Sequence, residues 1–328
     1  MTFTNKAAGE MRERVQGQLG ASNIRLRMGT FHGICAWMLR REARALGHPE
    51  NFSIFDGDDQ KTLIRRLMKS ISLPVKITPS AAKGFISNSK NDLLTPEEAL
   101  STATSPYMES LAMLYDGYQK ELRKSGAFDF DDLLTEVLAA IRHNNDIRKY
   151  YRNMFTRILV DEYQDTNRVQ NEILKEFTGE NTVVTVVGDD DQSIYGWRGA
   201  RVENILRFPT EFAGAHTIRL ETNYRSTGNI LTAASCLVSH NRDRHGKTLI
   251  PVLGRGDRVK IHNTLTPEDE ATSSCHQPGK PPPTAPPGRR SRSFSGPTPS
   301  PGPWRQCADG CRYPTKWWAQ YVSLKGRR

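Results

Sequence analysis

The stretch ILVDEYQDTN at residues 158–167 decides the fold of this chain. Three apolar residues come first, and two carboxylates, Asp161 and Glu162, follow them directly. A buried strand of a parallel sheet carries such an apolar run and delivers polar residues to its C-terminal edge, where open α/β sheets bind their ligands. The stretch therefore predicts a buried parallel strand that ends in an acidic site.

A second stretch, VVGDDDQSIYGWRGA at residues 186–200, repeats this pattern. A valine-rich run that starts at Val183 leads into Gly188, and three aspartates and Gln192 follow. Parallel strands present their C-terminal ends at one edge of the sheet, so two acidic strand ends predict a nucleotide site that binds Mg²⁺.

The chemistry of these residues fits hydrolysis of a nucleoside triphosphate. A carboxylate such as Asp161 can hold Mg²⁺, usually through water, because Mg²⁺ favours oxygen ligands and keeps much of its hydration shell. A second carboxylate such as Glu162 can polarise the attacking water, and Gln192 can sense or orient the γ-phosphate. An Asp-Glu pair taken alone has a simpler interpretation as a solvated turn, and the extended motif around it argues against that interpretation.

Five motifs resemble successive motifs of the Rep/UvrD/PcrA helicases of superfamily 1, in the family's order: TFTNKAA at 2–8, TFHGI at 30–34, DEYQDTN at 161–167, GDDDQSIYGWRGA at 188–200 and LETNYRST at 220–227. Together they cover most of residues 1–265, and the fourth motif is closer to the Rep/UvrD branch than to the recombination nuclease-helicases. The resemblance implies an α/β fold of the P-loop NTPase class. It would have a RecA-like parallel sheet, an inserted all-α subdomain and the start of a second RecA-like domain.

The resemblance also implies roles in ATP hydrolysis. ATP and Mg²⁺ are the implied cofactors, and Asp161 and Glu162 are the implied metal-binding residues. The implied catalytic residues are Glu162, Gln192 and Arg225, with Arg225 as an arginine finger for the γ-phosphate. Tyr224 would stack on the adenine, so Tyr224, Arg225 and Gln192 together would bind the nucleotide. A permanently charged guanidinium can stabilise the charge that develops in phosphoryl transfer. A Tyr-Arg pair taken alone would instead indicate an arginine in a surface salt bridge.

Three segments that contact single-stranded DNA are implied in the same way. Their candidate residues are Phe3, Asn5, Thr30, Phe31, His32, Tyr195, Trp197 and Arg198. Two aromatic rings beside a guanidinium suit unstacked bases, because stacking on bases is strong and tolerant of sequence. Simpler interpretations stay open, with Trp197 or Phe31 as core residues and His32 as a hydrogen-bonded loop residue.

The net charge of +10 gives no support of its own to DNA binding. Residues 273–328 hold ten Lys and Arg and one acid, Asp309, which is +9 and leaves about +1 for residues 1–272. No secretory signal is visible, and no apolar run approaches the roughly 18 residues that a membrane span needs. The two scattered cysteines of the body, Cys35 and Cys236, favour a reducing, cytoplasmic setting.

Hydrophobic periodicity and the positions of proline divide the chain into five parts. We predict a first RecA-like domain in two pieces, 1–51 and 155–215, with a helical insertion at 52–154 between them. A helical subdomain that contacts duplex DNA occupies this place in the family. A second RecA-like domain starts at 216–272, and residues 273–328 are the fifth part, a tail. The predicted helices are 5–19, 31–46, 58–70, 96–103, 107–124, 129–142, 146–153, 167–177, 201–207 and 228–240, and the predicted strands are 157–160, 183–187, 216–220 and 258–262.

Two further groups of residues invite a metal interpretation. FDFDDLL at 128–134 places Asp129 and Asp132 on one helical face beside Asp131, and we favour capping of a helix N-terminus over a metal site. In the tail, Cys275, His276, Cys307 and Cys311 superficially suggest zinc, but their spacing is poor for it.

The phosphate-binding motif G-x-x-x-x-G-K-[ST] does not occur in the 328 residues. In the family it precedes TFTNKAA by a couple of dozen residues, and here the chain begins one residue before that motif. We therefore expect the first strand and the loop, and the family's final motifs, to be absent. Residues 273–328 have no apolar periodicity and predict a disordered tail.

The tail also suggests a frameshift near residues 270–275. The codons of Trp317, Trp318 and Ala319, read two bases out of phase, give Val-Gly preceded by Val or Met, and residues 313–316 permit Pro-Tyr-Gln just before. Pro-Tyr-Gln-Val-Val-Gly resembles a segment of the family's second domain. An intact reading frame with no related product in another frame would contradict this hypothesis.

Two functions follow as expectations. The first is an ATP-dependent helicase that moves 3′ to 5′ on single-stranded DNA and unwinds duplex at single-strand/double-strand junctions, with unknown protein partners. The second is an inactive helicase fragment, at best a weak DNA-binding module, because the loop that holds the phosphates is missing.

Overall fold

The computed structural model describes residues 1–19, 26–242, 244–261, 263, 265 and 266. The chain divides into two compact units, residues 1–254 and 255–328, and all described helices and strands lie in the first. The helices are α1 Asn5–Leu19, α2 Phe31–Glu42, α3 Gly57–Ser70, α4 Pro79–Asn91, α5 Pro96–Ser101, α6 Pro106–Lys124, α7 Phe130–His143, α8 Asn145–Met154, α9 Arg168–Phe177, α10 Glu203–Glu211 and α11 Gly228–Val238. The strands are β1 Ser53–Phe55, β2 Ala127–Asp129, β3 Arg157–Val160, β4 Val183–Val186, β5 Thr222–Asn223 and β6 Ile250–Pro251.

Strands β3 and β4 form the parallel pair that the opening motif predicts, with Ile158 opposite Val184. The N-terminal residue extends this pair, because Met1 donates its amine to the Leu159 carbonyl at 2.5 Å and accepts from the Asp161 amide at 3.0 Å. Thr2 then bridges in parallel to Thr30. The first two residues thus connect the acidic turn after β3 to the start of α2.

Strand β3 is buried on one face only. Ile158 and Val160 point into the core, whereas Leu159 is 64% exposed. Successive side chains of a strand point to opposite faces, so the exposed face is the one that no element among the described residues covers. The prediction of a buried strand is correct for one face and wrong for the other.

Two hydrophobic clusters make up the interior. The first joins the buried faces of α2, α7, α8, α9 and β3, and the second joins α3, α4, α5 and α6. The parallel pair β1–β2 lies between them, since Ile54 and Phe128 pack on the first cluster and Phe55 and Ala127 on the second. Successive side chains of a strand point to opposite faces, so one short pair of strands packs against both clusters.

The prediction of a purely helical stretch over 52–154 is therefore wrong in one respect, because it contains β1 and β2. A three-residue strand is too short to show the alternation of apolar and polar residues by which a strand is recognised in a sequence. The predictions also miss α4, whose N-terminus is capped by Thr78 and whose sequence is mostly polar. The five-part division itself stays a prediction.

Two of the predicted strands are not formed. Residues 216–220 are irregular, with Ile218 83% exposed, and the strand of this region is the two-residue β5, paired with β6. Residues 258–261 are also irregular, and residue 262 lies outside the described residues. Neither stretch has a hydrogen-bonded strand partner in the described part of the chain. An apolar, β-branched run forms a strand only when such a partner is present.

Helix α2 ends at Glu42, short of the predicted residue 46, and α10 runs from Glu203 to Glu211 instead of over 201–207. The other predicted helices agree with the structure to within about two residues, the usual spread of helix ends. Among the described helices, none is long and apolar enough to cross a membrane.

Candidate functional site

The acidic turn after β3 places two carboxylates at the end of the strand. Asp161 is half-buried, and Glu162 is exposed with its backbone in the left-handed region at φ 53° and ψ 46°. Such a conformation is costly for a residue with a side chain, on the order of 1 kcal/mol or more, and it persists only where the surroundings fix it. Here it turns the Glu162 side chain out of the strand.

Gln164 connects Glu162 to the loop after β4. Its side chain is buried, and its amide nitrogen donates to Glu162 Oε2 at 2.8 Å. Its amide oxygen accepts from the backbone N–H of Asp189 at 2.9 Å. These partners settle which amide atom is which, because a carboxylate can only accept here and a backbone N–H can only donate.

Asp165 is a buried carboxyl in the same turn, and its Oδ1 has no partner among the described residues. Burial, and then the charge of Glu162, raise the pKa of Asp165 to about 6. No sequence pattern singles this residue out.

The three aspartates after β4 face cations from a distant segment. Arg244 donates to both carboxylate oxygens of Asp191, at 2.9 and 2.8 Å, and Lys247 pairs with Asp189. Burial raises the pKa of Asp189, but the hydrogen bonds from Lys247, Gln192 and the Asp191 amide, together with the charge of Lys247, outweigh it and leave that pKa below its usual value. The carboxylates lie close enough together to resemble a metal cluster, yet these cations already neutralise them.

Gln192, the predicted γ-phosphate residue, is exposed in the same loop. Its amide nitrogen donates to Asp189 Oδ2 at 2.7 Å. No hydrogen bond joins Gln192 to Asp161 or Glu162 in the described ranges.

The aromatic residues of the predicted DNA site come together. Phe3 stacks on Tyr195 with 5.4 Å between ring centroids and 23° between planes, and Trp197 lies 6.4 Å from Tyr195. The Arg198 guanidinium covers both rings of the loop, 4.5 Å from Trp197 and 5.2 Å from Tyr195. With 75% of Trp197 exposed, the structure does not support its interpretation as a core residue. We call Phe3, Tyr195, Trp197 and Arg198 the aromatic platform.

The second predicted DNA segment is mostly turned inward. Thr30 caps α2 by accepting from the Gly33 amide at 3.1 Å, and Phe31 is a buried core residue. The predicted base contact by the Phe31 ring is thus not available, because that ring packs among apolar side chains. His32 is half-buried beside Phe130, and burial lowers its pKa. Asn5 and Thr30 line a groove of about 390 Å³ between α1 and α2.

Tyr224 and Arg225 lie apart from this site. They follow β5 on a turn in which Asn223 Oδ1 accepts from the Arg225 amide at 3.0 Å, and both side chains are exposed. No hydrogen bond or ion pair connects Arg225 to Glu162 or Gln192 within the described part of the chain. Their roles on a nucleotide stay predictions.

The acids of FDFDDLL cap a helix, as predicted. Asp129 is the N-cap of α7 and accepts from the Asp132 amide at 2.8 Å, while Asp132 accepts from the Asp129 amide at 3.0 Å. The sequence did not reveal their shared cation: buried Lys90 lies 2.8 Å from Asp129 Oδ2 and 2.7 Å from Asp132 Oδ1. The tail residues considered for zinc lie outside the described residues.

Two family models match nearly all of the described chain. The model described as the UvrD/REP helicase N-terminal domain covers residues 1–213, and the UvrD-like helicase C-terminal domain covers residues 218–277. The chain belongs to the UvrD/REP helicase family. This confirms the resemblance that the five motifs carry.

Curated relatives of this UvrD/REP family member are helicases by name. The protein named ATP-dependent DNA helicase PcrA from Staphylococcus epidermidis ATCC 35984 is 43% identical over 272 residues, which is 83% of this chain and 37% of the relative. The protein of the same name from Staphylococcus aureus Mu50 is 42% identical over the same shares. The chain thus spans about 37% of the length of these relatives.

The acidic turn of this UvrD/REP chain fits Mg²⁺ by the chemistry of its donors. Asp161 and Glu162 offer carboxylate oxygens at an accessible strand end, and Mg²⁺ in nucleotide sites is held by one or two carboxylates together with phosphate oxygens and water. Asp189 and Asp191 fit it less well, because cationic side chains already occupy them.

Proposed function

We propose that this chain supplies the catalytic carboxylates and the single-strand platform of an ATP-driven DNA helicase. The observation that carries the proposal is the aromatic platform, which joins the segment beside β3 to the loop after β4. Membership of the UvrD/REP family and the printed names of the relatives support it. By the resemblance, the motor moves 3′ to 5′ on single-stranded DNA and unwinds duplex at junctions.

In the nucleotide half of the proposal, Asp161 would hold Mg²⁺ and Glu162 would take a proton from the attacking water. Mg²⁺ supplies charge neutralisation on the transferred phosphoryl group. Gln192 and Arg225 would contact the γ-phosphate, and Tyr224 would stack on the adenine. For Arg225 and Tyr224 this requires the turn after β5 to approach the end of β3, since no bond joins them within the described residues.

In the DNA half, the exposed ring of Trp197 offers a stacking face to a base, and Arg198 adds a charge beside it. Each base stacked on an aromatic ring gains about 1–3 kcal/mol without regard to sequence. Asn5 at the start of α1 and His32 in the first turn of α2 would add polar contacts to the strand. A cytoplasmic setting agrees with this role.

A second function has its own support in the sequence. The 328 residues contain no G-x-x-x-x-G-K-[ST] loop, whose backbone amides and lysine bind phosphates in P-loop enzymes. For the isolated chain we therefore propose binding of single-stranded DNA with negligible ATP turnover.

The test is binding of a fluorescent 20-nucleotide dT strand, followed by anisotropy. We expect Trp197→Ala to weaken binding by about 10-fold, in line with the loss of one stacked base. Tyr107→Ala is the matched control, because it removes an exposed aromatic ring on α6 that has no place in the platform. Wild-type affinity in Trp197→Ala would contradict the proposal.

A further inference from the structure

Gln164 is placed to connect the acidic turn with the DNA-contacting loop. Its amide spans the gap between two segments that meet only through a few bonds: it donates to Glu162 on one side and accepts from Asp189 on the other. Its own backbone carbonyl accepts from the Ser193 hydroxyl at 3.4 Å. Three bonds thus run from this one residue into both segments.

The fit around Gln164 is close. A side-chain carbon at Gly188 would lie 2.5 Å from the Gln164 amide oxygen, so the loop approaches the amide as nearly as a glycine allows. Gln164 is 1% exposed, and it therefore cannot touch a nucleotide or a DNA base directly. Any influence it has on either ligand passes through Glu162 or through the loop.

The loop that begins at Asp189 leads directly to Tyr195 and Trp197. It is also fixed at its far end, where the Arg201 amide donates to the Thr166 carbonyl at 2.9 Å and Asn204 donates to the same carbonyl at 3.0 Å. The turn at 161–167 therefore holds the loop at both ends. Gln164 is the contact at the end nearest the carboxylates.

We propose that Gln164 is a positioning residue that couples the orientation of Glu162 to the conformation of the aromatic platform. This proposal rests on the proposed function, because it assigns a meaning to the platform and to Glu162. Glu162 is exposed, and the bond from Gln164 holds its carboxylate in one orientation. A change in the orientation of the Glu162 carboxylate then moves the Gln164 amide and alters its hydrogen bond with the Asp189 amide.

The first experiment is a double-mutant cycle on dT-strand affinity in the full chain. Glu162→Ala and Gln164→Ala should each weaken binding by about 3- to 10-fold, the loss expected for one hydrogen bond to a charged group, and the double variant should be no weaker. Glu180→Ala is the matched control, because it removes an exposed carboxylate just before β4 that has no bond to Gln164 and no place in the site. Additive effects, or unchanged affinity in Gln164→Ala, would overturn the proposal.

The second experiment uses Gln164→Glu, which puts a carboxylate against that of Glu162. Above neutral pH the two charges repel, whereas protonation of the new carboxyl restores a donor. We expect this variant to bind the dT strand weakly at pH 7.5 and to approach wild-type affinity at pH 5.5. The other titratable groups nearby are Asp165 in the same turn and Asp189 with Lys247 across it, so the wild-type chain is measured at both pH values. A loss that does not depend on pH would show a purely structural role.

Hydrogen exchange separates failure of this proposal from failure of the proposed function. The Asp189 amide loses its acceptor in Gln164→Ala, so peptides over residues 188–195 should exchange faster without any DNA. Glu162→Ala should accelerate the same peptides. If the chain does not bind DNA but both variants accelerate exchange, the proposed DNA contact fails and the coupling stands. Unchanged exchange in Glu162→Ala overturns the coupling.

Discussion

The ring of Phe3 lies against the ring of Tyr195, with 5.4 Å between centroids and 23° between planes. One ring comes from the segment that hydrogen-bonds to β3, and the other comes from the loop that follows β4. The stack brings together two motifs that are distant in sequence, and it attaches the loop after β4 to the segment that bonds to β3.

The stack should be measurable as a coupling energy. We expect a double-mutant cycle of Phe3→Ala and Tyr195→Ala to give about 0.5–1.5 kcal/mol of coupling in the free energy of unfolding, the range for aromatic pairs. Urea unfolding followed by circular dichroism gives the four values. Phe3→Ala combined with Tyr107→Ala is the control pair, and its effects should add. Additive effects in the first pair would mean that the two rings do not interact in solution.

Lys90 should be essential for stability. It is 2% exposed between Asp129 and Asp132, so Lys90→Met leaves two buried carboxylates without a cation. We expect a loss of about 3–5 kcal/mol in the free energy of unfolding, the usual result of removing one partner of a buried ion pair. Lys69→Met, at an exposed position on α3, should change it by less than about 0.5 kcal/mol. A small loss in Lys90→Met would show that Asp129 and Asp132 are stable there in their protonated forms.

Gly188 should tolerate no side chain. A methyl group there would meet Gln164 Oε1 at 2.5 Å and Ile205 Cδ1 at 2.8 Å. We expect Gly188→Ala to destabilise the fold by about 1–3 kcal/mol, as overpacking does, and to weaken dT-strand binding with it. Gly196→Ala is the matched change in the same loop, because no atom lies within 4 Å of the added carbon. Equal thermal midpoints for the two variants would contradict the close fit.

Asp165 should make stability depend on pH. Its pKa of about 6 in the folded chain lies above that of an unfolded aspartate, so the folded state binds the extra proton. The contribution is full below about pH 4 and is lost as the pH rises through about 6. Asp165→Asn should remove this loss, which is on the order of 1 kcal/mol after solvent screening. Urea unfolding between pH 4.5 and 7.5 measures the slope, and Asp132, whose pKa is also raised to about 6, contributes equally to both proteins.

The isolated chain should show negligible ATP hydrolysis stimulated by DNA. The 328 residues contain no G-x-x-x-x-G-K-[ST] motif, and in P-loop enzymes the loop with that motif supplies the main electrostatic contacts for phosphoryl transfer. A coupled assay with saturating dT strand measures the turnover. Measured turnover that Glu162→Gln abolishes would overturn this expectation, and turnover that Glu162→Gln leaves unchanged would indicate a contaminating enzyme.

The sequence predicts the parts of the structure that local patterns determine. The helices α1, α3, α6 and α9 follow from apolar spacing and caps, and the acids of FDFDDLL follow from the preference of helix N-termini for carboxylates. The pairing of β3 with β4 follows from two apolar runs that end in acids. Each of these patterns can be recognised within a short stretch of the chain.

The features that escaped prediction depend on partners far apart in the sequence. Lys90 looks like any helix lysine until α7 is placed beside it, and Arg244 and Lys247 look like surface residues until β4 is placed beside them. The three consecutive aspartates predicted part of a site for Mg²⁺, and the structure pairs two of them with cationic side chains. Gln164 stood inside the quoted motif, yet nothing in its spacing shows that its amide is buried between two segments.

The parallel pair β1–β2 has a consequence for how this chain can change. The segment between the two strands leaves the first hydrophobic cluster and returns to it at adjacent backbone positions, Ser53 beside Ala127 and Phe55 beside Asp129. Inserting or removing residues between such closely spaced ends changes the free energy of folding little, because the entropic cost of closing a loop depends only weakly on its length. The loops within residues 56–126 can therefore change in length while the strand ends that carry Asp161 and Asp189 keep their places, as long as Lys90 stays between Asp129 and Asp132.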